Sequence, residues 1–167
     1  MIRRVLVADD ELTDRELMSE ALRAVDDQIE ILTAPNGGEA CRMLGEKSVD
    51  AVFTDLCMPD KNGLEVLERA GQCPGEISVV IVTGNGDVPT AVEAIKNGAF
   101  DYLLKPIDVD QVEVLLEKLR EHRHLVEENA YLRSEVSAAN AREELIGESE
   151  AFRGACNQAL HVSGTDA

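Results

Sequence analysis

The chain has 167 residues, with 16 Lys plus Arg against 33 Asp plus Glu and a formal net charge of −17. That length allows one domain with an extension or two small domains, and 44% hydrophobic residues with 3% aromatics and no Trp specify an aliphatic core rather than a disordered chain. Acid outweighs base both before and after residue 106, so no basic face is set aside for nucleic acid, and no apolar run is long enough to span a membrane.

Met1-Ile2-Arg3-Arg4 leads straight into a strand pattern, Val5-Leu6-Val7-Ala8, and not into a signal peptide. Thr13-x-x-Glu16 reads as a capping box opening a helix with Leu17, Met18, Ala21, Leu22 and Val25 at helical spacing. Residues 29–34 form a second strand. Asn36-Gly37-Gly38 turns into a helix with Ala40, Met43 and Leu44 on its inner side. A third strand spans 49–54, and Asn62-Gly63 turns into a helix carrying Leu64, Val66 and Leu67. Residues 77–83 make a fourth strand, continuously apolar as a strand buried on both faces should be. Pro89 suits the first turn of the next helix, whose apolar side is Ala91, Val92, Ala94 and Ile95. Tyr102-Leu103-Leu104 is a fifth strand. Val109, Val112, Leu115, Leu116 and Leu119 open the last helix. Cys41, Cys57, Cys73 and Cys156 lack metal-site spacing and read as reduced thiols of a cytoplasmic protein.

Five strands alternating with five helices predict a doubly wound α/β fold, a parallel five-stranded sheet with right-handed crossovers. In the flavodoxin-like order 2-1-3-4-5 the ligand crevice opens at the carboxyl ends of strands one and three. Those ends carry Asp9-Asp10 and Asp55, while strands four and five end in Thr83-Gly84 and Lys105-Pro106. An Asp after a strand is ordinarily a turn or cap residue. Three meeting at one point repel one another unless a cation joins them, and hard oxygen ligands describe a Mg²⁺ site. Metal, ammonium and hydroxyl around one carboxylate is what phosphoryl transfer requires, with Asp55 as nucleophile.

The segments VLVADDE at 5–11, DLCMPDKNG at 55–63, IVTGNGD at 81–87 and GAFDYLLKP at 98–106 resemble, in order and spacing, the receiver domains of two-component response regulators. The resemblance covers about residues 1–124. It implies that Asp55 accepts a phosphoryl group from a sensor histidine kinase. It implies that Asp10 binds Mg²⁺ directly, Asp9 through water, and that Asp55 and the Cys57 backbone carbonyl complete the protein ligands. Thr83 would hydrogen-bond the phosphoryl group, Lys105 would pair with it, and Tyr102 matches the aromatic that rotates inward as Thr83 moves. Ala8 stands where the family more often has Val. Met58 is read as packing beneath the loop that Pro59 and Gly63 shape.

From Asp110 to about Leu145 there is neither Gly nor Pro. Leu125, Asn129, Leu132, Val136 and Ala139 alternate at spacings of four and three, the seam of a short coiled coil. With Leu125 and Leu132 at d, Asn129 and Val136 fall at a, and a buried Asn at a favours a parallel homodimer. Residues 125–144 are therefore read as a dimerising linker. LIGESEAFRGACNQALHVSGTDA, at 145–167, resembles the opening of the ATPase domain of sigma-54-dependent (NtrC-type) activators, and no Gly-x-x-x-x-Gly-Lys-Ser/Thr loop follows. The expectation is a truncated fragment, poorly ordered or helical only over 151–160.

Two other readings stay open. A metal-dependent phosphatase on this fold usually wants a second acid two residues after the nucleophile, and position 57 is Cys. A receiver-like docking module that is never phosphorylated has no need of the full set of acids, Thr and Lys.

Overall fold

The computed structural model describes the backbone of residues 1–84 and 88–162, and their side chains except at Val88, Ala91, 136–152 and 155–162. Contacts divide the chain into two units, Met1–Arg123 and His124–Ala167. Strands β1 (Arg4–Ala8), β2 (Glu30–Ala34), β3 (Ala51–Asp55), β4 (Ser78–Thr83) and β5 (Asp101–Leu104) alternate with helices α1 (Leu12–Val25), α2 (Gly37–Glu46), α3 (Gly63–Gly71), α4 (Val88–Lys96) and α5 (Val109–Val162). All neighbouring strands are parallel, in the order β2-β1-β3-β4-β5. The predicted fold class and strand order stand.

Side chains alternate across a strand, and here both faces of the sheet are buried. Leu6, Val52, Val79 and Ile81 point to one side, where α2, α3 and α4 supply Ala40, Leu44, Val66, Ala70 and Ala94. Val5, Val7, Phe53, Val80 and Val82 point to the other, against Met18 and Leu22 of α1 and Val112, Leu115, Leu116 and Leu119 of α5. Phe53 is the largest fully buried side chain and sits two residues before Asp55. The central strands are therefore gripped from above and below, so the residues at their carboxyl ends stand on a rigid base.

Three expectations need correcting. The Thr13 capping box does not form. The helix begins at Leu12 with Glu11 at its N-cap and no side-chain cap, because Asp9 Oδ1 already accepts the Glu11 N–H at 2.8 Å and turns the chain earlier. Capping boxes do the same job elsewhere: Asn62 and Glu65 form a complete reciprocal pair at the start of α3. On α4 only Ala94 is buried of the predicted apolar side, while Val92 and Ile95 are exposed and the Ala91 side chain lies outside the described residues. Among the described side chains of this nine-residue helix, the small Ala94 is buried while the branched Val92 and Ile95 stay in solvent. Finally, α5 runs unbroken past Gly147 and Gly154 to Val162, where a fragment helical only over 151–160 was expected. An internal Gly costs a helix only about 1 kcal/mol against Ala, and no Pro interrupts the span.

Candidate functional site

The site is built at the carboxyl edge from β1, β3, β4 and β5. Asp9 follows β1 directly, and Asp55 is the last residue of β3. The register pairs Val5–Ala8 with Ala51–Thr54, so the two acids end adjacent strands at the same height. Both are buried, as is Thr83 at the end of β4. Lys105 follows β5, and its backbone N–H donates to the Thr83 carbonyl at 2.8 Å. The Lys105–Pro106 peptide is cis.

The ammonium of Lys105 is the centre of the site. Its Nζ lies 2.8 Å from Asp9 Oδ2, 3.0 Å from Asp55 Oδ1 and 2.7 Å from Asp14 Oδ2. The other oxygens of Asp55 and Asp9 are held by backbone. Asp55 Oδ2 accepts the Cys57 N–H at 2.9 Å, and Asp9 Oδ1 accepts the Glu11 N–H. Arg15 Nη1 donates to the Asp9 carbonyl at 2.6 Å and braces the turn from below.

Burial pushes the Asp55 carboxyl above the ordinary carboxylate value; Lys105 opposes this, and the neighbouring Asp9 charge adds to the rise. Burial alone would lower the Lys105 ammonium. The bonds to Asp14, Asp9 and Asp55 together outweigh it and hold the ammonium far above its ordinary value. A carboxylate that ionises reluctantly beside a permanently charged Lys is a group whose negative charge has been concentrated and aimed.

The loop after β3 fixes the backbone of Asp55. The Gly63 N–H donates to the Leu56 carbonyl at 3.0 Å, and a Cβ at Gly63 would stand 2.5 Å from the Asp55 carbonyl oxygen. Glycine is required there by close approach, a stronger constraint than the turn read from Asn62-Gly63. Asp60, at φ 71°, takes the left-handed conformation in the same loop, and Lys61 places its carbonyl where a Cβ at Gly37 would fall. The loop is thus pressed onto the start of α2. Met58 is buried, as its position in the loop suggested.

Of the residues singled out in the sequence, Asp9, Asp55 and Lys105 are brought into direct contact. Asp10 is exposed, and the acid contacting Lys105 from that pair is Asp9. The Thr83 hydroxyl is turned to the Gly84 carbonyl at 3.3 Å. Tyr102 is half-buried and packs against the core face shared with α2, α3 and α4. Leu125 and Leu132 are exposed on α5, as is Asn129. The side chain of Val136 lies outside the described residues, as do the side chains of most of 145–167.

Sequence reasoning missed Asp14. It lies in the first turn of α1, where an acid is unremarkable because it favours the helix dipole, and its partner is far off in sequence. Among the described residues no group of three His, Cys, Asp or Glu is placed to hold a metal. The acids are gathered on an ammonium instead. The donor set still fits Mg²⁺ in kind, since that ion is commonly held by one or two carboxylates with waters, and Asp9 and Asp55 already present oxygens to one shared cation.

The response regulator receiver domain model matches residues 5–117. The chain is 33% identical over 163 residues to the transcriptional regulatory protein ZraR of Klebsiella oxytoca, a match covering 98% of this chain and 35% of that protein. It spans about a third of the length of the curated relatives it matches. Among solved structures, NtrX from Brucella abortus superposes with a TM-score of 0.71 at 32% identity, covering 79% of this chain and 30% of that one. A response regulator receiver domain protein from Clostridium thermocellum superposes with a TM-score of 0.65 at 34% identity, covering 75% of this chain and 99% of that one. The family model covers more than half of the chain and the fold agrees with these structures, so the chain belongs to the response regulator receiver domain family.

Proposed function

We propose that this receiver accepts a phosphoryl group on Asp55 from a sensor histidine kinase and thereby controls an attached sigma-54-type ATPase. The single observation that carries the reading is the Lys105 ammonium within 3.0 Å of a buried, strand-ending Asp55. A lone pair on the Asp55 carboxylate forms a bond to phosphorus. The P–N bond to the donor imidazole breaks, and the imidazole nitrogen keeps the electron pair and takes a proton from solvent. Cys57 N–H holds one carboxylate oxygen in place, so the nucleophile is oriented before the donor arrives. Lys105 faces the other oxygen and offsets charge that spreads over the phosphoryl oxygens. Mg²⁺, held through Asp9, Asp10, Asp55 and the Cys57 carbonyl, would neutralise further charge on the transferring group. Thr83, at the next strand end, is placed to turn towards the new phosphoryl oxygens, with Tyr102 following as the second half of the switch.

Residues 125–144 are the proposed dimerising linker of a cytoplasmic protein, and residues 145–167 the start of the ATPase domain. The exposed Leu125 and Leu132 support the linker assignment. Among the described residues no helix is long and apolar enough to cross a membrane, and the acidic chain is not itself a nucleic-acid binder. Several relatives bear the names of transcriptional regulatory proteins, in keeping with the sigma-54 resemblance.

The test is intact mass after incubation with acetyl phosphate and Mg²⁺. One phosphoryl group should appear, map to Asp55, and vanish in Asp55→Asn, whose amide is a poor nucleophile of nearly the same shape. A labelled peptide elsewhere overturns the assignment. For the linker, sedimentation that finds only monomer at tens of micromolar overturns the dimer.

A further inference from the structure

We propose that Asp14 is a positioning residue of the phospho-acceptor site, holding the Lys105 ammonium in competition with the phosphoryl group. The proposal rests on the phospho-acceptor reading above and adds a device that regulates that site.

A Lys ammonium has three N–H donors. Three carboxylates, from Asp9, Asp14 and Asp55, lie within 3.0 Å of Nζ. All three acids lie within ion-pair distance of the ammonium, which donates a hydrogen bond to Asp9, and the shortest of the three contacts is the one to Asp14. The three acids differ in what else holds them. Asp55 Oδ2 is fixed by the Cys57 N–H and Asp9 Oδ1 by the Glu11 N–H. Asp14 stands on α1, a helix locked to the sheet by Met18, Ala21 and Leu22. Asp9 and Asp55 belong to the platform that the chemistry uses, whereas Asp14 comes from outside it and draws Lys105 towards α1.

Two consequences follow for an anionic phosphodonor. Its oxygens must compete for Lys105 with three carboxylates already within 3.0 Å of Nζ. They also approach a site that carries one more negative charge than Asp9, Asp10 and Asp55 supply. Both effects slow entry of the phosphoryl group, and neither alters the nucleophile. Once Asp55 is phosphorylated, the donor that faced Asp55 passes to a phosphoryl oxygen while Asp9 and Asp14 keep the ammonium from swinging away. Asp14 therefore sets how readily the site is loaded and where Lys105 stands when it is.

The bland alternative is that Asp14 only favours the N-terminus of α1. That role would affect helix stability and leave Lys105 where it is. The experiment separates the two in the full chain, comparing wild type, Asp14→Asn and Asp14→Glu. Lys105 is first observed through its ¹⁵Nζ resonance in the unmodified proteins, assigned with Lys105→Arg. The Asn variant should shift this signal and speed its hydrogen exchange, and the Glu variant should restore it. Loading is then timed by intact mass with acetyl phosphate and Mg²⁺, where the Asp55 oxygen bonds to phosphorus and acetate leaves with the electron pair. Removal of one nearby charge should raise the Asn variant's rate about three- to tenfold, with the Glu variant close to wild type. An unshifted Nζ signal, or loading of wild type and Asp14→Asn at equal rates, overturns the inference and leaves the phospho-acceptor reading intact. Loading of neither protein overturns that reading, and this inference with it.

Discussion

The two edges of the sheet use the same kinds of side chain in opposite ways. At the amino edge the main acids face basic side chains of their own: Glu30 pairs with Arg4, Asp26 with Arg120, Asp101 with Lys118, Glu76 with the His122 imidazole, and Asp50 with Arg123. Most of these pairs are partly exposed to solvent, and exposure of that kind weakens an ion pair. At the carboxyl edge three acids share one ammonium, and two of the three are buried. The amino edge spreads charge over many local contacts, so any one can be lost. The carboxyl edge concentrates charge on a single cation, leaving a site that is unbalanced without it and ready for further positive charge. The proposed reactivity of Asp55 draws on that imbalance, held in place by a sheet packed on both faces.

Removing the shared cation should be the most damaging change at either edge. Lys105→Met keeps much of the stem but leaves Asp9, Asp14 and Asp55 facing one another. A loss of about 3 kcal/mol at neutral pH is expected, as for a buried pair stripped of one partner. The ammonium's own value is raised in the fold, so its contribution is complete below the ordinary Lys value and is lost only as pH rises through the higher folded one. Across the neutral range the Lys105→Met deficit should therefore stay level, and it should shrink in acid as the carboxylates protonate. Urea unfolding of both proteins from acid to neutral pH measures this. If Lys105→Met is destabilised no more than variants at the amino edge, the contrast between the edges fails.

The strongest single contact at the amino edge sharpens the comparison. Asp50 Oδ2 accepts the backbone N–H groups of Arg3 and Arg4 at 2.7 and 2.9 Å, and its other oxygen pairs with Arg123 at 3.0 Å. Asp50→Ala should remove about 2 kcal/mol, mainly by leaving backbone donors without that acceptor. The same variant should load phosphate at Asp55 as wild type does, because it acts at the far edge. Urea midpoints and loading rates together check it, and a slowed loading rate would show that the two edges are coupled.

Much of this was legible in the sequence, and the gaps have a common cause. Apolar runs ending in Asp9, Asp55, Thr83 and Lys105 announced both the parallel sheet and the edge at which these residues gather, because a topological rule converts strand ends into neighbours. What escaped were contacts that no periodicity encodes. Asp14 meets Lys105 across the fold, yet in sequence it is one more acid near a helix start. Gly63 looked like a turn residue, but it is needed because the chain comes back onto the Asp55 carbonyl. The Thr13-x-x-Glu16 pattern fitted a capping box, and the Asp9 side chain had already capped the turn. On α4, spacing predicted a face, while among its described apolar residues Ala94 is buried and Val92 and Ile95 are exposed.

The smallest expected effect is the most diagnostic, because its sign differs between the edges. Asp55 sits above the ordinary carboxylate value, chiefly through burial. A carboxyl raised in the fold contributes stability only below its unfolded value, and loses it as pH rises through the folded one. At neutral pH the ionised Asp55 thus weakens the fold. Asp55→Asn keeps an acceptor for the Cys57 N–H and discards the charge that burial opposes. It gives up the pairing with Lys105, which retains Asp9 and Asp14. The variant should therefore melt at or slightly above wild type at neutral pH, and the gap should close as pH falls below the carboxylate range and wild-type Asp55 takes up its proton. Asp50→Asn, at an edge where the carboxylate is well served by donors, should instead be less stable than wild type at neutral pH. Thermal melts of the two Asn variants at neutral and acid pH compare the edges directly. An Asp55→Asn protein clearly less stable than wild type at neutral pH would mean that Lys105 outweighs burial and that the site is balanced after all.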